Sequence, residues 1–109
     1  MVFTTLIPTR RNDGSPVPRA ELQEILSGLW TRFGGVTIDG IVTGHWIDSH
    51  DGQHYQDESL KVSIACDNDR LQDAESAVVE VGKRLEQKAM YFEVRYFDGV
   101  RFLRVTTDA

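Results

Sequence analysis

Apolar positions along the chain follow two periods. Leu22, Ile25, Leu26, Leu29 and Phe33 recur at helical spacing and predict one buried stripe. Pro18 suits the first turn of that helix, and Gly34-Gly35 supplies a left-handed stop. Leu71, Ala74, Val78, Val81 and Leu85 mark a second helix, expected from an Asn68 cap to about Gln87. Its last turn carries Lys83, Arg84 and Lys88, which suit the negative end of a helix dipole. Elsewhere the period is two. Tyr55 to Cys66 sets Leu60, Val62, Ile64 and Cys66 against Ser59, Lys61, Ser63 and Ala65. Ala89 to Phe97 alternates in the same way, and Val2 to Ile7 and Val36 to Asp48 are β-rich. Asp98-Gly99 reads as a hairpin turn into a last strand, Val100 to Val105.

The predicted order is β-α-β-β-α-β with a C-terminal hairpin strand. This is the split-βαβ pattern of an α+β, ferredoxin-like sandwich: one antiparallel sheet with both helices on one face. The only composition break, Pro8 to Pro18, is too short for a domain linker. Residues 1–109 are therefore read as one ferredoxin-like domain.

The run Arg32-Phe33-Gly34-Gly35-Val36-Thr37-Ile38, then Gly44-His45-Trp46, then Glu58-Ser59-Leu60-Lys61-Val62, resembles an uncharacterised bacterial domain family. Its members share an Arg-Phe, Gly-x-Thr, Gly-x-Trp and Glu-Ser pattern, and Gln87 stands at a later family position. The resemblance spans roughly residues 19–95. It implies a ferredoxin-like fold and carries no activity with it.

Charge narrows the choice of partners. Twelve Lys+Arg against 17 Asp+Glu give a net charge of -5, which opposes duplex nucleic acid and anionic membrane. The chain has one cysteine, Cys66, so no internal disulfide is expected. Cys66 is read as a small buried hydrophobe, since nearby Asp67 and Asp69 raise a thiol pKa. No apolar run is long enough for a membrane span or a signal peptide, so the expected compartment is the cytoplasm. The P-loop and nucleophile-elbow patterns are absent. The strand expected to carry RNA-stacking aromatics reads Leu60-Lys61-Val62-Ser63-Ile64-Ala65 and has none.

Polar chemistry concentrates in the central hairpin. A two-residue Asp51-Gly52 turn predicts His45 opposite Glu58 and Trp46 opposite Asp57, about 5 Å apart. A carboxylate at that distance would orient an imidazole for acid–base work. Arg32, before the Gly-Gly turn, is the candidate anion binder. His45, Glu58 and Arg32 are thus the candidate catalytic set, against the plainer reading of a cross-strand polar pair. Trp46, Tyr91 and the loop arginines Arg10 and Arg11 are candidate ligand contacts. His45, His50 and His54 lie within ten residues, but none falls at a diagnostic metal spacing, so no metal or other cofactor is expected. The outer sheet face, with Trp46, Lys61, Tyr91, Glu93, Arg95 and Phe97, is expected to cover a second copy. The leading expectation is a homodimeric ligand-binding or interaction module with a small anionic ligand. The alternative is a metal-independent enzyme acting on an anionic substrate such as a nucleotide phosphodiester.

Overall fold

The computed structural model describes residues 1–96 and 101–105. The elements run β1 (Val2–Pro8), α1 (Arg19–Phe33), β2 (Thr37–Ile47), β3 (His54–Ala65), a 3₁₀ turn (Asn68–Arg70), α2 (Leu71–Arg84) and β4 (Phe92–Arg95). The four strands form one sheet in the order β2-β3-β1-β4, every neighbour antiparallel. An antiparallel sheet with two helices is an α+β arrangement compatible with a ferredoxin-like sandwich.

The core explains the layering. Phe3, Ile7, Val62 and Ile64 share one sheet face by register and are almost fully buried. Ile25, Leu26, Leu29 and Phe33 of α1, and Ala74, Ala77, Val78 and Val81 of α2, join them in the same cluster. Both helical stripes therefore cover that face. Phe3 is the centrepiece, edge-on to Phe33 at 5.2 Å and stacked on Phe92 at 5.6 Å. Burying side chains of this size contributes about 1.5–3 kcal/mol each.

Helix α1 ends as its glycines require. Gly34 adopts φ 89° and its N–H bonds the Trp30 carbonyl. The second helix departs from expectation at both ends. Asn68 does not cap it, because Asn68 Oδ1 accepts a 2.6 Å bond from the Met1 ammonium, and a 3₁₀ turn precedes the α-helix. At the other end Glu86 turns left-handed (φ 57°), and Gln87 N–H returns to the Gly82 carbonyl at 2.9 Å, closing α2 before Gln87.

The last expected strand is not found. Residues 101–105 carry no strand, and Phe102, Leu103 and Val105 are 88%, 81% and 95% exposed. The apolar pattern is present, but Phe102, Leu103 and Val105 stay outside the core. The Asp98-Gly99 turn, Val100 and Phe97 lie outside the described residues. No helix among the described residues is long and apolar enough to cross a membrane.

The sheet is uneven in length. β1 pairs with β3 only from Ser59 to Ala65, so among the described residues His54–Asp57 pair with β2 alone. The distal β2–β3 ribbon projects as an arm, and the molecule extends 57 Å along its long axis.

Candidate functional site

The arm brings together aromatic, imidazole and carboxylate groups. Its register differs from the two-residue-turn expectation. His45 stands opposite Gln56, Trp46 opposite Tyr55, and Glu58 opposite Thr43. The cause is Asp48. Its Oδ1 accepts from the His50 N–H (2.6 Å) and the Asp51 N–H (3.2 Å). Its backbone N–H bonds the Gln53 carbonyl, and its carbonyl accepts from Gly52 N–H, both at 2.9 Å. This wide Asx-capped loop replaces the tight Asp-Gly turn and moves every partner by two residues. A shift of two keeps each side chain on its expected face, since the strand period is two.

The expected His45–Glu58 pair therefore does not form. Glu58 Oε1 accepts instead from the Thr9 hydroxyl at 3.0 Å. His45 Nδ1 lies 2.9 Å from His54 Nε2, and the two rings stack at 5.1 Å. One ring donates and the other accepts, so the pair exists only while at least one imidazole is neutral. Arg32 is remote from both. It bonds Asp73 and, at 2.9 Å, Glu80 of α2, beside the start of β2. At about 3.3 Å per residue, His45 lies roughly 26 Å along β2 from Thr37. Arg32, His45 and Glu58 cannot converge on one small substrate within a single copy.

Helix-to-helix ion pairing occupies Arg32. Asp73 also takes Arg70, and the Arg32 and Arg70 bonds hold its carboxyl below the usual carboxylate range. Arg70 lies over the Phe33 ring, 4.5 Å from its centroid. Arg11 is spent likewise. It grips Glu21 at 2.6 and 2.7 Å, and that bond keeps the Glu21 carboxyl low. Arg10 donates to the Gly14 carbonyl at 3.1 Å. The loop that carries both arginines is bound to the body of the protein instead of lying open over the sheet.

The opposite face of the arm carries a different cluster, which the sequence reading named only in part. Trp46 and Tyr55 stack at 4.6 Å with an interplanar angle of 20°. Trp46 Nε1 donates to Asp57 Oδ2 at 2.6 Å, reaching diagonally to the residue once expected opposite it. Tyr55 donates its hydroxyl to Asp51 Oδ2 at 2.9 Å, and that bond raises the phenol's pKa. Tyr55 was missed because it faces Trp46 only in the wide-loop register. The signal for that register was Asp48, placed to cap the turn through His50 and Asp51.

Farther along the same open face stand Lys61, Ser63, Glu93 and Arg95. Ser63 Oγ donates to Asp39 Oδ2 at 2.7 Å and lies 3.1 Å from Thr4 Oγ1. Tyr91, half exposed, places its hydroxyl 3.3 Å from Glu93 Oε2. Cys66 is partly buried, and burial pushes its thiol up. Among the described residues no three His, Cys, Asp or Glu side chains gather as a metal cluster.

No family model matches the chain, and no curated protein matches it. Among solved structures it is similar to a phage SAM lyase in complex with S-methyl-5′-thioadenosine. The TM-score is 0.65 at 10% identity, over 84% of this chain and 76% of that one. At that identity the likeness is one of fold.

Proposed function

We propose that this chain is a ferredoxin-like, self-associating protein that binds a thionucleoside such as S-methyl-5′-thioadenosine or S-adenosylmethionine on the open face of its arm. The observation that carries the reading is the exposed Trp46–Tyr55 stack with Asp57 and Asp51 at its polar ends. An indole face accepts a purine by stacking and attracts a sulfonium as it attracts any cation. Asp57 uses one lone pair on Trp46, Asp51 uses one on Tyr55 and one on the Gln53 N–H, and both keep others for ribose hydroxyls. The fold likeness supplies the ligand class.

Charge favours this ligand over the nucleotide phosphodiester of the alternative expectation. Arg32 and Arg11 are committed to carboxylates, and the net charge of -5 opposes a polyanion. A thionucleoside carries no phosphate. The arm by itself is a two-stranded ribbon and cannot enclose a ligand, whereas small-molecule sites bury about 70–90% of theirs. A second copy lying on the open face would complete the site, which is why self-association belongs to the proposal. The order β2-β3-β1-β4 with both helices on one face supports the ferredoxin-like reading.

Titration calorimetry with both thionucleosides tests the reading. Binding is expected, and Trp46→Ala should weaken it at least tenfold with the fold intact. Equal affinity in wild type and Trp46→Ala would remove the site from the arm. Absence of heat with either compound at millimolar concentration would remove the ligand class. The fold likeness also favours an enzymic version of the same site. There the sulfonium's bond to the aminobutyryl chain breaks as that chain's own carboxylate closes on the freed carbon to a lactone, and chromatography of S-adenosylmethionine incubated with the protein should show S-methyl-5′-thioadenosine and the lactone in equal amounts.

A further inference from the structure

A groove of about 630 Å³ runs between α2 and β4, away from the arm. Val78, Val79, Gly82, Met90, Phe92 and Val94 give it an apolar floor and walls. Gly82 admits Met90 there, since a Cβ at this position would lie 2.7 Å from Met90 Cγ. β4 is an edge strand: among the described residues it pairs with β1 alone. The groove thus combines an apolar slot with an open strand edge. A small apolar molecule could fill the slot but could not pair with the edge. An added strand does both.

The same chain carries a segment of that kind. Residues 101–105 form no strand, and they include three of the most exposed apolar side chains, Phe102, Leu103 and Val105. In an extended segment Leu103 and Val105 point to one side and Phe102 to the other.

We infer that residues 101–105 of one copy dock as a strand on the β4 edge of a second copy, with Leu103 and Val105 in the groove beneath α2. Each copy offers one donor segment and one acceptor groove, so a reciprocal exchange about a two-fold axis satisfies both at once. If Leu103 and Val105 of each copy bury about 150 Å² apiece and cover as much again, the two insertions remove on the order of 1,200 Å², the lower end of the range of stable interfaces. The exchange uses surfaces remote from Trp46 and stands whether or not the arm binds a ligand.

The test uses full-length chains in a Cys66→Ala background. Val79→Cys and Leu103→Cys are made in separate proteins, mixed in equal amounts and oxidised. A covalent dimer joined between positions 79 and 103, identified by peptide mass, is the expected result. Light scattering of Leu103→Asp/Val105→Asp should show a smaller assembly than wild type, with wild-type helix content by circular dichroism. No 79–103 link in the mixture overturns the inference. So does a double Cys variant that closes only within its own chain, which would make the occupant the protein's own segment. A wild-type assembly state in Leu103→Asp/Val105→Asp also overturns it. Trp46→Ala should leave the cross-link intact, so failure of the ligand reading is distinguishable from failure of this one.

Discussion

Strand β3 passes through two surroundings. From Leu60 to Ala65 it lies between β1 and β2 under both helices, and Val62 and Ile64 are almost wholly buried. From His54 to Asp57 it pairs with β2 alone among the described residues, and its side chains are mostly exposed. The inner half is held by apolar burial with few polar groups. The outer half is held by its ladder, by Asp48, and by two stacked ring pairs. An isolated two-stranded ribbon is marginal in water, so the arm depends on the inner half for its order. The inner half has no such dependence on the arm. Stability and recognition chemistry are thereby separated along a single strand.

Substitutions should break or sharpen that separation in a graded way. The largest effect is expected at Phe3, which is fully buried between Phe33 and Phe92. Phe3→Ala should cost about 3–5 kcal/mol, a large share of the stability of a small domain. Urea unfolding followed by circular dichroism measures it. A loss below about 1 kcal/mol would mean that Phe3 does not anchor the core.

Next is Gly40, at the bulge between Ile38 and Gly40, opposite Lys61 in the inner half. Its φ of +117° is one that side-chain-bearing residues rarely adopt, and nothing crowds the position. Gly40→Val should cost about 1–3 kcal/mol through backbone strain alone. An unchanged urea midpoint would show that the inner half can dispense with the bulge.

Asp73 tests the polar attachment between the helices. Arg32 and then Arg70 depress its carboxyl pKa in the folded state. A depressed folded pKa gives stability that is fully present above the unfolded value, near 3.9, and is lost as pH falls toward the folded value. Asp73→Asn should therefore be less stable than wild type at neutral pH. The gap should narrow as the pH drops below about 4. Melting temperatures of the two proteins from pH 7 to pH 2 check this, and parallel curves would rule it out.

The smallest effect is expected on the arm. His45→Ala and Trp46→Ala should each change unfolding stability by about 0.5 kcal/mol or less, as exposed positions do. A much larger loss at either would mean that the arm contributes to the fold, contrary to its exposure.

The arm is also where the sequence reading needed most correction. In the inner half the alternation of Leu60, Val62 and Ile64 had only one face to bury, and the register followed from it. In the arm neither face is buried, so hydrophobic pattern places no constraint on register. The Asp51-Gly52 signal favoured a two-residue turn. Asp48 offered four hydrogen-bonded closures of a wider loop and prevailed. That decision moved His45 from Glu58 to His54 as its partner and brought Tyr55 onto Trp46. Arg32 was misplaced for a different reason. Its position at the end of α1 was correctly read, but its partners Asp73 and Glu80 are distant in sequence and meet it only when α2 packs alongside.

Local chemistry thus determined the two helices and the four strands of the sheet, since caps, stripes and alternation act over a few residues, but not the fate of residues 101–105, whose apolar pattern forms no strand. It also determined which face of each element turns inward. Tertiary structure decided the pairings across distance: which carboxylate meets Arg32, where Glu58 finds Thr9, and how far β1 extends along β3. Those depend on the meeting of elements whose contacts no local pattern encodes, and on hydrogen bonds whose partners are fixed only once the sheet has closed.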